Sequence, residues 1–150
     1  MSAELPPPAG PRTPAASTRL PRALGVIAAC YGFLGVAAGA FGAHALRDGL
    51  PAARMVVWQT AVDYQLVHAL ALLAVTLLLG RDPGRRALAV AGVAFAGGVL
   101  VFSGSLFALV LADASWLGAV TPVGGTAMLV GWASLAWALG KAPPPRGLRP

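Results

Sequence analysis

The sequence predicts an all-α fold: an integral membrane four-helix bundle, antiparallel, with both termini cytoplasmic. Three observations carry this expectation. Charged residues make up 11% of the chain and hydrophobic residues 57%, where an ordinary soluble domain carries roughly 25% charged. The charges fall between long uncharged runs. Lys and Arg are divided unequally among the connections between those runs. The 150 residues allow one domain.

Residues 1–21 read as a disordered Pro-rich tail. Pro6, Pro7, Pro8, Pro11, Pro14 and Pro21 interrupt any long helix, and the segment holds too little apolar surface to offset its ordering entropy. The transmembrane domain then spans 22–140, with helices at about 23–46, 52–79, 87–111 and 121–139, and 141–150 forms a short basic tail.

The first helix is uncharged from 23 to 45, longer than the roughly 20 residues that cross a bilayer core. Ala43-His44-Ala45 resembles a signal-peptidase site, but a signal h-region runs to only about 7–15 residues. Gly25, Ala28, Gly32, Gly35, Gly39 and Gly42 recur at alternating steps of three and four. Lipid gives helices no hydrophobic reason to associate, so small residues that let backbones approach must supply the attraction. Cys30 within this run reads as a small buried residue, and one cysteine excludes an intrachain disulfide.

Pro51 suits the first position of the second helix. Arg54 to Gln65 is amphipathic, and Trp58 and Tyr64 fit an interfacial belt. Leu66 to Leu79 is apolar apart from His68 and Thr76. After the Arg81–Arg86 turn, the third helix carries a small face of Ala87, Ala91, Ala94, Gly98, Ser105 and Ala108. Trp116 in the next loop reads as an interface residue. Thr121-Pro122 then reads as an N-cap and first helical residue, followed by a seam of Gly124, Ala127, Gly131, Ser134 and Ala138. The glycines expected at helix contacts are Gly32, Gly35, Gly39, Gly42, Gly98, Gly124 and Gly131.

A net charge of +6 raises the question of nucleic acid. The basic residues lie at the ends of apolar runs rather than in one patch, which is how membrane proteins set orientation. Each tail and the middle loop carries three Lys or Arg, the first loop two and the last loop none. Four spans put the three richer segments on one side, and the positive-inside rule makes that side cytoplasmic. The expected partners are the lipid bilayer and other membrane proteins or a second copy, not nucleic acid.

With this topology most polar side chains in the membrane zone share the outer half. The candidate polar cluster is His44, Asp63, Tyr64, Gln65, His68, Ser103, Ser105 and Thr121. Tyr64 and Gln65 lie four and three residues before His68 and can share its face, whereas Asp63 points away and can pair with Gln59, an arginine of the first loop, or water. His44 is expected to bond a group on the second or third helix. A metal held by His44, His68 and Asp63 is weighed and set aside, because the histidines are on different helices with no H-x-x-x-H spacing. Interhelical hydrogen bonding is the commoner use of such residues. Ser103-Gly104-Ser105 lacks the strand–turn–helix setting of a nucleophile elbow. No phosphate loop or dinucleotide fingerprint is present, so no catalytic residue and no cofactor are assigned.

Four motifs in order resemble one family: Gly39-Ala-Phe-Gly-Ala-His-Ala-Leu46, Tyr64-Gln-Leu-Val-His-Ala-Leu-Ala-Leu72, Phe102-Ser-Gly-Ser-Leu-Phe107 and Gly118-Ala-Val-Thr-Pro-Val-Gly-Gly125. They are similar to the YgdD-like, transmembrane protein 256-like family of small inner-membrane proteins, a domain of unknown function. The resemblance covers roughly residues 23–140. The matching positions are Gly39, Phe41, Gly42, His44, Tyr64, Gln65, His68, Ser103, Gly104, Ser105, Thr121, Pro122 and Gly124. It implies a multi-pass protein of the bacterial inner membrane with about four helices and no settled activity. Three readings follow: a non-enzymatic structural or interaction component; a transport or permeation element using the outer polar cluster; and, ranked last, an enzyme acting on lipid or quinone.

Overall fold

The computed structural model describes residues 19–141. The described chain is all-α: helix α1 Arg19–Phe41, α2 Ala52–Arg81, α3 Arg86–Ala112 and α4 Thr121–Gly140. All four, with the short turns that extend α1 and precede α4, are long and apolar enough to cross a membrane. Residues 1–18 and 142–150, which hold most of the two expected tails, lie outside the described residues. Arg19–Pro21 belongs to α1 rather than to the tail, because a proline in the first turn removes only an N–H that has no helical acceptor.

The helices pack in chain order, α1 on α2, α2 on α3 and α3 on α4, and α1 also touches α3. Neither α1 nor α2 makes an extended contact with α4. The core follows this order. Leu24 and Ala28 of α1 meet Leu72, Val75 and Leu79 of α2, and these meet Leu88, Ala91 and Phe95 of α3, with Leu135 and Ala138 of α4 closing that end. Large apolar side chains such as Val26, Phe33, Leu70, Leu100 and Leu129 are exposed, as lipid-facing residues are in a helix that crosses a bilayer.

Close backbone approach is greatest between α3 and α4. A methyl group on Gly98 would stand 2.7 Å from Met128 Cγ and 3.0 Å from the Gly124 carbonyl oxygen. One on Gly124 would meet the Phe102 backbone and lie 2.8 Å from the Gly98 carbonyl oxygen. Gly131 lies under the Phe95 ring, 2.6 Å from Cδ1 by the same measure.

The seam of α1 is narrower than its spacing predicts. Pro21, Ala28, Gly35 and Gly42 are buried and lie one heptad apart. At Gly35 a methyl would stand 2.7 Å from Leu66 Cδ2, and at Gly42 2.5 Å from Trp58 Nε1. The alternate row is displaced about 40° around the helix. There Gly25 and Gly39 keep single contacts, at 3.2 Å to Thr76 and 3.5 Å to Val62, while Gly32 would meet nothing within 4 Å. Gly32 therefore makes no close contact with a neighbouring helix of this chain. Cys30, two positions beyond Ala28, is exposed rather than buried. Gly92 of α3, absent from the expected small face, is tightly packed: its methyl would stand 2.5 Å from Leu24 Cδ1.

Two helix ends depart from expectation. The last turn of the first span, Gly42–Leu46, winds as a π-helix. Before α4, Ser115–Ala119 forms a 3₁₀ turn that runs through Val120 into the helix, and no side chain caps it. Thr121 is the first helical residue and its hydroxyl bonds elsewhere. At the opposite end of the bundle, Arg85 Nη2 donates to the Ala138 carbonyl at 2.6 Å, one of the last α4 carbonyls without a helical partner. Beside it the Lys141 ammonium lies 4.0 Å from the centroid of Trp137, a favourable cation–ring contact.

Candidate functional site

Each buried polar side chain answers the demand that a donor in hydrocarbon find an acceptor. Gln65 Nε2 donates to the Tyr31 carbonyl at 2.9 Å, tying α2 to α1. The Tyr31 hydroxyl donates to the Ala96 carbonyl at 2.6 Å, tying α1 to α3. Ser103 Oγ donates to the Ala61 carbonyl at 2.9 Å, tying α3 to α2. The Ser105 and Thr121 hydroxyls are 2.8 Å apart between α3 and α4, and Thr121 also donates to the Leu117 carbonyl at 3.2 Å. Trp58, expected in the interfacial belt, is 4% exposed and donates through Nε1 to the Ala38 carbonyl at 3.0 Å. It is held there by the Phe107 ring, 4.7 Å between centroids, and by the absence of a side chain at Gly42.

His68 is the centre of an aromatic group. The Trp132 indole N–H donates to its Nε2 at 3.1 Å, and its Nδ1 lies 2.8 Å from the Tyr64 carbonyl. An indole only donates and a carbonyl only accepts, so the ring is the neutral Nδ1–H tautomer. Tyr64 stacks on His68 at 5.8 Å and on Phe102 at 4.5 Å between centroids. Phe95 and Trp132 meet edge to face at 5.1 Å.

The rings of Tyr64, His68, Phe102 and Trp132 line a groove of about 570 Å³ between α2 and α4. It forms because those two helices do not close on each other over α3. Asp63, Tyr64, His68, Phe102, Met128 and Trp132 are among its walls. Asp63 is exposed and accepts from Gln59 Nε2 at 2.8 Å, so its bond runs back along its own helix. A second groove, almost wholly apolar, lies between α1 and α3 over α2, bordered by Tyr31, Trp58, Gln65 and Phe107.

The expected cluster is therefore not one site. Asp63, Tyr64 and His68 share the groove; Gln65, Ser103, Ser105 and Thr121 lie in helix–helix seams. The His44 side chain is exposed and makes no hydrogen bond among the described residues, which corrects its expected bond to the second or third helix. The wider winding of the π turn carries a side chain to a different azimuth from that of a regular α-helix. No group of three metal-ligating side chains occurs among the described residues.

Tyr31, Trp132 and Arg85 were not singled out from the sequence. For Tyr31 a signal was present: a lone hydroxyl in mid-span must bond a neighbouring helix or leave a donor bare in lipid.

The family model described as "Protein of unknown function (DUF423)" matches residues 38–125. The chain is 39% identical to the UPF0382 membrane protein YwdK of Bacillus subtilis, over 71% of this chain and 87% of that protein. It is 40% identical to a UPF0382 membrane protein of Haemophilus influenzae, over 74% and 88%. It is 39% identical to the UPF0382 inner membrane protein YgdD of Escherichia coli, over 72% and 82%. No solved structure matches the chain. Four membrane-length helices and relatives named as membrane proteins agree, and the chain belongs to the DUF423 family of multi-pass membrane proteins.

Proposed function

We propose that this protein is a non-enzymatic structural or interaction component of the bacterial inner membrane, with both termini in the cytoplasm. One observation carries the reading: among the described residues no buried side-chain nitrogen or oxygen lacks a hydrogen-bond partner. The buried polar side chains, Gln65, His68, Ser103, Ser105 and Thr121, join helix to helix, which leaves none of them spare for chemistry. The partners on this reading are lipid, other membrane proteins or a second copy, and not nucleic acid. The inner-membrane placement follows that of the Escherichia coli relative, an inner membrane protein by name. The orientation follows the excess of Lys and Arg in the middle loop and both tails.

Purified protein in liposomes tests this reading. The expected proton and small-cation flux equals that of empty vesicles. The second reading, a permeation element, draws on the Asp63 groove. A flux abolished by His68→Ala would establish it against the first.

A further inference from the structure

Asp63 differs from every other acid in the chain. Glu4 lies outside the described residues, and Asp48, Asp82 and Asp113 lie in connections between helices. Asp63 alone is inside a helix. That helix has 30 residues; at about 1.5 Å per residue, Asp63 stands roughly 5 Å from its midpoint. A carboxylate at such depth is costly, and those that occur mark ligand or ion pathways and pair with a partner. The two ion pairs among the described residues are Arg54–Asp113 and Arg85–Asp82. Asp63 has only the neutral amide of Gln59.

The groove beside it selects the kind of cation. Its volume, about 570 Å³, lies in the range of small-molecule sites. Its walls include the rings of Tyr64, Phe102 and Trp132, and ring faces left open to the groove attract cations. Both nitrogens of His68 are engaged, so the free side-chain acceptors in the wall are the Asp63 carboxylate and the Tyr64 hydroxyl. A primary ammonium brings three donors, and with one Asp63 oxygen already accepting from Gln59 it finds only two unoccupied side-chain acceptor atoms in the wall. A cation wrapped in carbon asks only for opposite charge and aromatic faces, and it reaches the groove through the lipid.

We propose that the groove between α2 and α4 binds a hydrophobic organic cation without N–H donors, of the quaternary ammonium or phosphonium type, with Asp63 as its counter-charge. This goes beyond the structural reading and requires no flux, so the two fail separately.

The test measures equilibrium binding of radiolabelled tetraphenylphosphonium to the full chain in lipid nanodiscs. Tetraphenylborate, of the same shape and opposite charge, is the control. The expected result is saturable binding of the cation above protein-free discs, with the anion showing partition alone. Asp63→Asn should weaken binding by at least about tenfold, and Asp63→Glu by about threefold or less. Tyr64→Leu should weaken it by about threefold or more. Asp113→Asn should change nothing. If Asp63→Asn does not fold, the cation-to-anion ratio and the Tyr64→Leu loss decide. Absence of saturable binding, equal binding of the anion, or an unchanged Asp63→Asn overturns the proposal. So does a native mass spectrum in which a retained phospholipid or a second copy accompanies loss of cation binding.

Discussion

The indole N–H of Trp132 donates to Nε2 of His68, and this bond decides which nitrogen of the imidazole carries the proton. With Nδ1 donating to the Tyr64 carbonyl, the ring is held from two helices at once. Nitrogen NMR of the protein labelled at histidine should report the Nδ1–H tautomer for His68. Trp132→Phe should shift that spectrum and lower stability by about 0.6 kcal/mol, up to roughly 1.7. A wild-type spectrum with the proton on Nε2 would refute the arrangement.

The glycines should divide into two classes by stability. Gly124→Ala places a methyl against the Phe102 backbone, which cannot turn aside as a side chain can. We expect a loss of about 1–3 kcal/mol in unfolding from mild detergent. Gly32→Ala adds a methyl where nothing lies within 4 Å. It should be neutral or stabilising by up to about 1 kcal/mol, since alanine is the better helix former. Equal losses at the two sites would contradict the packing.

Ser105 and Thr121 should show coupling. A double-mutant cycle with Ser105→Ala and Thr121→Val should give an interaction energy of about 0.6 kcal/mol, the usual size for a hydrogen bond between membrane helices. Two hydroxyl protons serve three acceptors, so one hydroxyl donates across the seam while the other donates to a carbonyl on its own side, and the single losses should exceed the coupling. A coupling of zero would mean that the two hydroxyls do not meet.

Arg54 and Asp113 form an ion pair joining the start of α2 to the end of α3. Their side chains are 35% and 76% exposed, so water and salt screen the pair. Arg54→Ala should cost less than about 1 kcal/mol, with the difference shrinking in high salt. Asp113 is also the one non-glycine residue with a positive φ, 54°, among the described residues. Asp113→Val should cost more than Asp113→Asn in thermal denaturation, because a β-branched residue resists that backbone and asparagine tolerates it.

The helical membrane class was legible because hydrocarbon forbids charge, and the uncharged runs of this chain are long. The seams were legible in part. Spacing named Gly35, Gly42, Gly98, Gly124 and Gly131, but it gave Gly32 equal standing. Periodicity assigns a stripe and not its edge, and the edge depends on where the neighbouring helix lies. The same limit hid the groove. Asp63, Tyr64 and His68 could be named from sequence, but Phe102 and Trp132 join them only because α4 stands off α2, and no residue type announces that separation. His44 failed for a local reason: a π turn cannot be read from Gly-Ala-His-Ala-Leu.

Tyr31 accepts from α2 through its carbonyl and donates to α3 through its hydroxyl. The chain leaves the ribosome in order, so this imposes a schedule on biogenesis. When α1 and α2 alone have entered the bilayer, the Gln65 amide already has its acceptor and the phenol has none. The phenol acquires one only when α3 arrives with Ala96. A nascent chain halted at the middle loop therefore presents one bare hydroxyl at mid-membrane, a cost that is removed only when the third helix packs.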